Sequence, residues 1–122
     1  MNKEQKNILL EKADEFSFLV YKLTKDFPKS EIFGITSQLR RATLSIPLNI
    51  IEGFARSSIK THRRFLEIAY ASLKETKYLL YFSCREKYIS KKSYEEIINL
   101  SEEIGKILWT KIQTLKNLQN EQ

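Results

Sequence analysis

"QLRRATLSIPLNIIEGFAR", residues 38–56, holds a proline, two adjacent arginines and a glycine, yet its apolar residues recur at helical spacing. At 100° per residue, Gln38, Arg41, Ser45, Asn49, Glu52 and Arg56 fall within a sector of about 80°. Ile35, Leu39, Ala42, Ile46 and Ile50 form a stripe beside it, and Leu44, Pro47, Leu48, Ile51 and Phe54 fill the remaining side. One bundle core needs an apolar stripe only somewhat over about 100° wide. A helix apolar over more than half its circumference is therefore expected to bury a second face, under a neighbouring helix or against another subunit. Leu44, Leu48 and Ile51 are the candidate contacts. Pro47 removes one donor from the helix and leaves the Thr43 carbonyl without its usual partner, which predicts a kink near residues 43–47, eased by the hydroxyl of Thr43 or Ser45. Gly53 admits a backbone or a ring at close range, at a helix-propensity cost of about 1 kcal/mol. Glu52 and Arg56 are ordered for an (i, i+4) pair, which Gln38, Arg41, Ser45 and Asn49 extend into a polar ladder. Two readings of that ladder stand: a solvated face, or a partly buried network that fixes helix register or a subunit contact.

The same periodicity continues on both sides. Leu9, Ala13, Phe16, Val20, Leu23 and Phe27 make one seam on a helix over about 4–26, ended by Phe27-Pro28, because the residue before proline is pushed out of helical geometry. Thr36 or Ser37 would cap a second helix over about 36–56, and Ser57 or Ser58 a third over about 59–86. On the third, Phe65, Leu66, Ala69, Leu73, Thr76 and Leu80 share one face. After a connection at Tyr88-Ile89, Ser90 or Ser93 caps a fourth helix over about 91–118, with Tyr94, Ile97, Ile98, Ile104, Leu108, Ile112 and Leu115 inward. Four long helices and short loops predict an all-α, up-down antiparallel four-helix bundle, with residues 1–122 as a single domain.

With 122 residues the chain can build a core without disulfides or a structural metal. One cysteine (Cys84) and one histidine (His62) are too few for a Cys/His zinc site. No cofactor is expected. The N-terminal "MNKEQKNILLEKADEF" lacks the apolar run of a signal peptide, no segment approaches the roughly 18 apolar residues of a membrane span, and the chain reads as cytoplasmic. Of the net charge of +6, residues 61–92 carry +5, from eight basic and three acidic groups. A positive field so concentrated attracts polyanions.

From Phe27 to Leu80 the chain resembles the four-helix-bundle proteins named after the 23S rRNA intervening sequence. The resemblance rests on Phe27, Pro28, Glu31 and Gly34 in an FPxxExxG turn, and on Thr36 with Gln38 to Ala42. It extends through Ser45 to Ile50 with Glu52 and Gly53, and through Phe65 to Ala69 with Ser72, Leu73 and Glu75. Ile51 and Ala71 depart from the family pattern, where alanine and glycine are usual, and add bulk at positions that the family packs closely. The resemblance implies a homo-oligomer, a closed pentameric ring of up-down bundles. It is also similar in architecture to the basic pentameric accessory proteins of diversity-generating retroelements, which associate with nucleic acid and a reverse transcriptase. The family name records where some of its genes sit and implies no biochemical activity.

On the third helix, Arg63, Tyr70, Lys74, Lys77, Tyr78, Tyr81, Arg85 and Tyr88 project roughly away from the apolar face. Cations interleaved with rings suit a sequence-tolerant single-strand binder, with charges on phosphates and rings under bases. They also suit a solvated or subunit-packed face on which tyrosines cover lysine and arginine stems, the favoured account of this face taken alone. Arg40, Arg41, Arg63 and Arg64 join that field if the helix-two end and helix-three start meet it in space. Catalysis has little support: His62 reads as a partly buried structural histidine, Cys84 and Trp109 as packing residues, and the Glu95/Glu96 and Glu102/Glu103 pairs lack the Glu-x-x-His pattern of di-iron bundles. The expected function is therefore that of a non-catalytic oligomeric bundle that binds RNA or DNA through a basic surface. A protein-interaction scaffold with a protein partner and no nucleic acid is the alternative.

Overall fold

The computed structural model of the chain describes residues 3–121, with side chains over 8–121. Met1, Asn2 and Gln122, counted within the one domain by the sequence reading, lie outside the described residues. Four helices dominate: α1 (Lys3–Thr24), α2 (Ile35–Phe54), α3 (Ile59–Arg85) and α4 (Lys91–Asn120). Each packs on its neighbour in chain order and α1 closes the ring against α4, leaving α1/α3 and α2/α4 as diagonals. This is the expected up-down bundle. Its centre is filled by the predicted stripes, among them Leu9, Phe16, Leu39, Ile46, Leu66, Leu80, Ile104 and Leu108, all fully buried. No helix among the described residues is long and apolar enough to cross a membrane.

Helix ends show which local signals were decisive. Ser58 and Ser90 cap α3 and α4, their hydroxyls accepting from the backbone N–H of Thr61 at 3.0 Å and Ser93 at 3.1 Å. The predicted cap of α2 is corrected: the helix starts at Ile35, Gly34 is its N-cap residue, and no side chain at the cap position bonds back. Thr36 already lies inside the first turn, buried, its hydroxyl without a hydrogen-bond partner among the described residues. The Glu31 carboxylate approaches instead, accepting from Ile35 N–H at 3.5 Å, while its other oxygen accepts from the Tyr88 hydroxyl at 2.9 Å. That bond to a carboxylate raises the Tyr88 pKa above the ordinary tyrosine value and ties the α1–α2 loop to the α3–α4 loop.

α1 ends at Thr24, two residues earlier than expected. Phe27 thereby leaves the helix and is buried, its ring 5.4 Å from that of Tyr88. A short 3₁₀ turn, Lys29–Glu31, follows. α3 ends without a glycine: Tyr88 N–H donates to Ser83 O at 2.8 Å and Lys87 N–H to Cys84 O at 3.0 Å, the paired bonds of a Schellman turn, with Lys87 at φ 65°.

α2 runs unbroken through Pro47. Neither hydroxyl expected to help the Thr43 carbonyl turns to it. Thr43 donates to Leu39 O at 2.7 Å, and Ser45 pairs with Ser72 of α3.

Candidate functional site

The α2–α3 seam is lined by small residues. Ser45 and Ser72 share a hydrogen bond of 2.8 Å, and Asn49 donates to both the carbonyl (2.7 Å) and the hydroxyl (2.9 Å) of Ser45. At the far end of the seam a Cβ on Gly53 would stand 3.2 Å from His62 Cδ2 and 3.3 Å from the His62 carbonyl oxygen. His62 itself is half-buried, as expected, and lies edge-on against Phe54, ring centroids 4.6 Å apart.

The polar ladder therefore forms in two pieces. Ser45 and Asn49 are half-buried and bonded to each other, with Ser45 reaching Ser72 of α3, whereas Glu52 and Arg56 pair at the surface, with the Arg56 guanidinium 5.0 Å from the centre of the Phe65 ring. Gln38 and Arg41 make no side-chain hydrogen bond or ion pair with a described residue. Arg41 instead lines a polar groove of about 480 Å³ between α2 and α3, together with Phe33, Ser45, Ser72 and Glu75. Asn49→Leu is expected to cost about 1 kcal/mol, since one half-buried donor is removed and its acceptors face partly toward water. A urea-unfolding midpoint equal to that of the parent would assign no stabilising role to the ladder.

Beside the seam, Leu44, Leu48 and Ile51 point straight outward, 39%, 62% and 50% exposed. This is the second apolar face expected from the sequence. Ile51 and Ala71, read as adding bulk at close-packed positions, are both exposed in the single chain, so neither crowds the bundle. Two further exposed rings, Phe18 on α1 and Phe33 before α2, were not singled out by periodicity. Residue type alone does not say that a phenylalanine off the seam stays uncovered.

The basic face divides. Arg40 belongs elsewhere: its Nε donates to Thr24 at 2.8 Å and its guanidinium lies 4.7 Å from the Tyr21 ring centre, on the α1–α2 edge. Arg63 pairs with Glu67 at 3.2 Å, and Arg64 is exposed. Arg41 and the Arg63–Arg64 pair do not converge. Gly53 faces His62, beside Arg63, and Arg41 lies 12 residues before Gly53 on α2, so about 18 Å of helix separates the two arginine levels.

What does assemble is a ladder along the α3–α4 edge. From one end, Tyr81 meets Tyr94 (6.4 Å between ring centres) and Lys77 pairs with Glu102. Leu73 then faces Gly105, and Tyr70 meets Trp109 (5.7 Å). Tyr78 lies 6.4 Å from Tyr81 on its outer side. Lys74 sits over Tyr70 at 5.2 Å and Arg85 over Tyr81 at 5.6 Å, neither in an ion pair with a described residue. Tyr88 leaves this face for Glu31. The hydrogen bond and charge of Lys77 hold the Glu102 carboxyl below the usual carboxylate range against the opposing effect of burial; Lys74 and Lys106 add to the lowering. Glu103, the other half of that acidic pair, takes Lys12 of α1 at 2.8 Å and raises its pKa. The pair thus splits between two seams.

Sequence reasoning missed Gly105, Lys106 and the exposure of Trp109. All three lie on the flank of α4 that borders α3, and helical spacing alone does not reveal which flank of a helix a neighbour leaves open. Among the described residues, no three His, Cys, Asp or Glu side chains converge to hold a metal ion.

A model of the family described as 23S rRNA-intervening sequence protein matches residues 5–110. The chain is also similar to a crystal structure of a protein with unknown function from the S23 ribosomal protein family of Bacteroides thetaiotaomicron. The two are 32% identical, with a TM-score of 0.83 over 89% of this chain and 98% of that one. No curated protein matches the sequence.

Proposed function

Because the chain belongs to the 23S rRNA-intervening sequence protein family, we propose that it works as such a bundle can without chemistry of its own. In this reading it is a non-catalytic, self-associating module that carries a basic, ring-lined face to RNA or DNA. The observation that carries the reading is the α3–α4 edge, where Lys74 and Arg85 each lie over a tyrosine ring and are free of ion pairs with described residues. A cation held beside a ring can contact a phosphate while the ring accepts a base. The outward Leu44, Leu48 and Ile51 stripe supports self-association, and a pentamer is the assembly that the family resemblance suggests. The half-buried free thiol of Cys84 suits a reducing cytoplasm.

The test is fluorescence anisotropy of labelled single-stranded and duplex RNA and DNA at several salt concentrations. The double variant Lys74→Glu, Arg85→Glu is expected to keep its helical circular dichroism. Its log-log salt slope on single strands should fall by about 0.7 for each phosphate it no longer neutralises. A second reading, a scaffold for a protein partner, is favoured by the internal pairing of Lys77 with Glu102 and of Arg63 with Glu67, which occupies two of the candidate phosphate-binding cations. Equal binding by parent and variant would move the nucleic-acid contact away from Lys74 and Arg85, and no binding by either would favour the scaffold.

A further inference from the structure

Between the Lys77–Glu102 and Tyr70–Trp109 rungs, α3 and α4 leave a groove of about 280 Å³. It is smaller than the roughly 300–1,000 Å³ typical of drug-sized ligand pockets, so one flat group fits better than a larger ligand. Three ammonium groups (Lys74, Lys77, Lys106) and one carboxylate (Glu102) line it, a net charge of +2. Lys77 is engaged with Glu102, and Lys74 and Lys106 make no ion pair with a described residue. Trp109 forms one wall, 51% exposed, and its contact with Tyr70 is tilted at 44° rather than stacked, so indole surface stays open.

Gly105 lines the groove between the two rungs. A Cβ there would meet only Leu73 Cδ2, at 3.4 Å, an ordinary contact. Packing therefore does not require glycine, although glycine is the costlier residue in a helix interior. Its effect is to leave the space beside Trp109 unfilled.

We propose that this α3–α4 groove is a subsite for one unstacked nucleotide of a single strand, its base against the Trp109 indole and its phosphate between Lys74 and Lys106. The proposal rests on the nucleic-acid reading above and sharpens it. An unstacked base offers a flat π-face that any sequence supplies, and the two unpaired ammonium groups supply the anion site. A duplex keeps its bases stacked and presents no such face.

Trp109 is the chain's single tryptophan, so indole fluorescence reports on this groove alone. The full-length protein is titrated with a labelled octauridylate and with the same strand in a duplex. Binding of the single strand is expected to quench Trp109 with the midpoint seen by anisotropy, and the duplex to bind more weakly without quenching. Trp109→Ala should weaken single-strand binding about 5- to 150-fold, the range for removal of one stacked base. Trp109→Phe should recover most of it, and Lys106→Glu should weaken binding with the ring intact. Binding by anisotropy with no quenching, and unaffected by Trp109→Ala, would overturn the subsite and leave the basic surface standing. Equal quenching by duplex would overturn it too. No binding of any strand at low salt would remove both readings, and a drop in assembly mass for Trp109→Ala without nucleic-acid binding would make the groove a subunit contact.

Discussion

Leu48→Asp combined with Ile51→Asp is expected to yield a folded monomer. Both side chains point to solvent in the single chain, so the bundle does not need them for its core, and circular dichroism and thermal unfolding of the isolated chain should change little. In an assembly that covers the α2 stripe, each carboxylate would enter an apolar contact unpaired. Taking an unpaired ion out of water costs several kcal/mol, enough to dissociate an interface at micromolar concentration, since each 1.4 kcal/mol is about tenfold in affinity. Light scattering would then fall to the mass of one 14.4 kDa chain. A variant with the mass of the parent assembly would exclude this stripe from the interface.

Gly53→Leu is expected to give the largest loss of fold stability. Even a single Cβ at this position meets His62 Cδ2 at 3.2 Å and, at 3.3 Å, both the His62 carbonyl and Leu66 Cδ2. One of these neighbours is backbone of α3, which cannot rotate away. Overpacking of this kind costs about 1–3 kcal/mol and occasionally more, whereas the helix-propensity gain from removing glycine returns about 1 kcal/mol at most. Three further carbons of leucine tip the balance firmly toward loss. Gly105→Ala is the matched control, because its new methyl finds an ordinary contact and the propensity gain is kept. The two melting curves, taken at equal protein concentration so that assembly does not confound them, should move in opposite directions. A rise for Gly53→Leu would mean that α2 and α3 can separate without penalty.

Most of the fold was legible because the apolar spacing is so regular. Leu9 to Leu23 on α1 and Tyr94 to Leu115 on α4 turn inward as their periodicity requires, and Ser58 and Ser90 cap where a short hydroxyl precedes a helical run. Less legible were features that depend on a second element. Thr36 looked like a cap and is instead buried in the first turn, because Gly34 and Glu31 occupy the entry to α2. Lys87 takes a left-handed backbone at a position where glycine would have announced it. In the candidate site, the Ser45 and Asn49 half of the polar ladder was visible as a strip, but its bond to Ser72 depends on how α3 lies against α2. Arg40 was grouped with the basic face by its number in the chain and is drawn off by Tyr21 and Thr24 on α1.

The ring of helix seams also bears on the order of folding. Three of the four seams join elements adjacent in sequence, and only α1 against α4 closes a long loop. Such topologies fold quickly, because little chain entropy must be given up before native pairings form. The α1–α4 closure brings the most distant segments together, and its one cross-link between described side chains is the solvent-exposed Lys12–Glu103 pair, a kind of interaction that adds little. α1 is therefore the helix expected to dock last and detach first, which hydrogen exchange would show as the earliest loss of amide protection on α1.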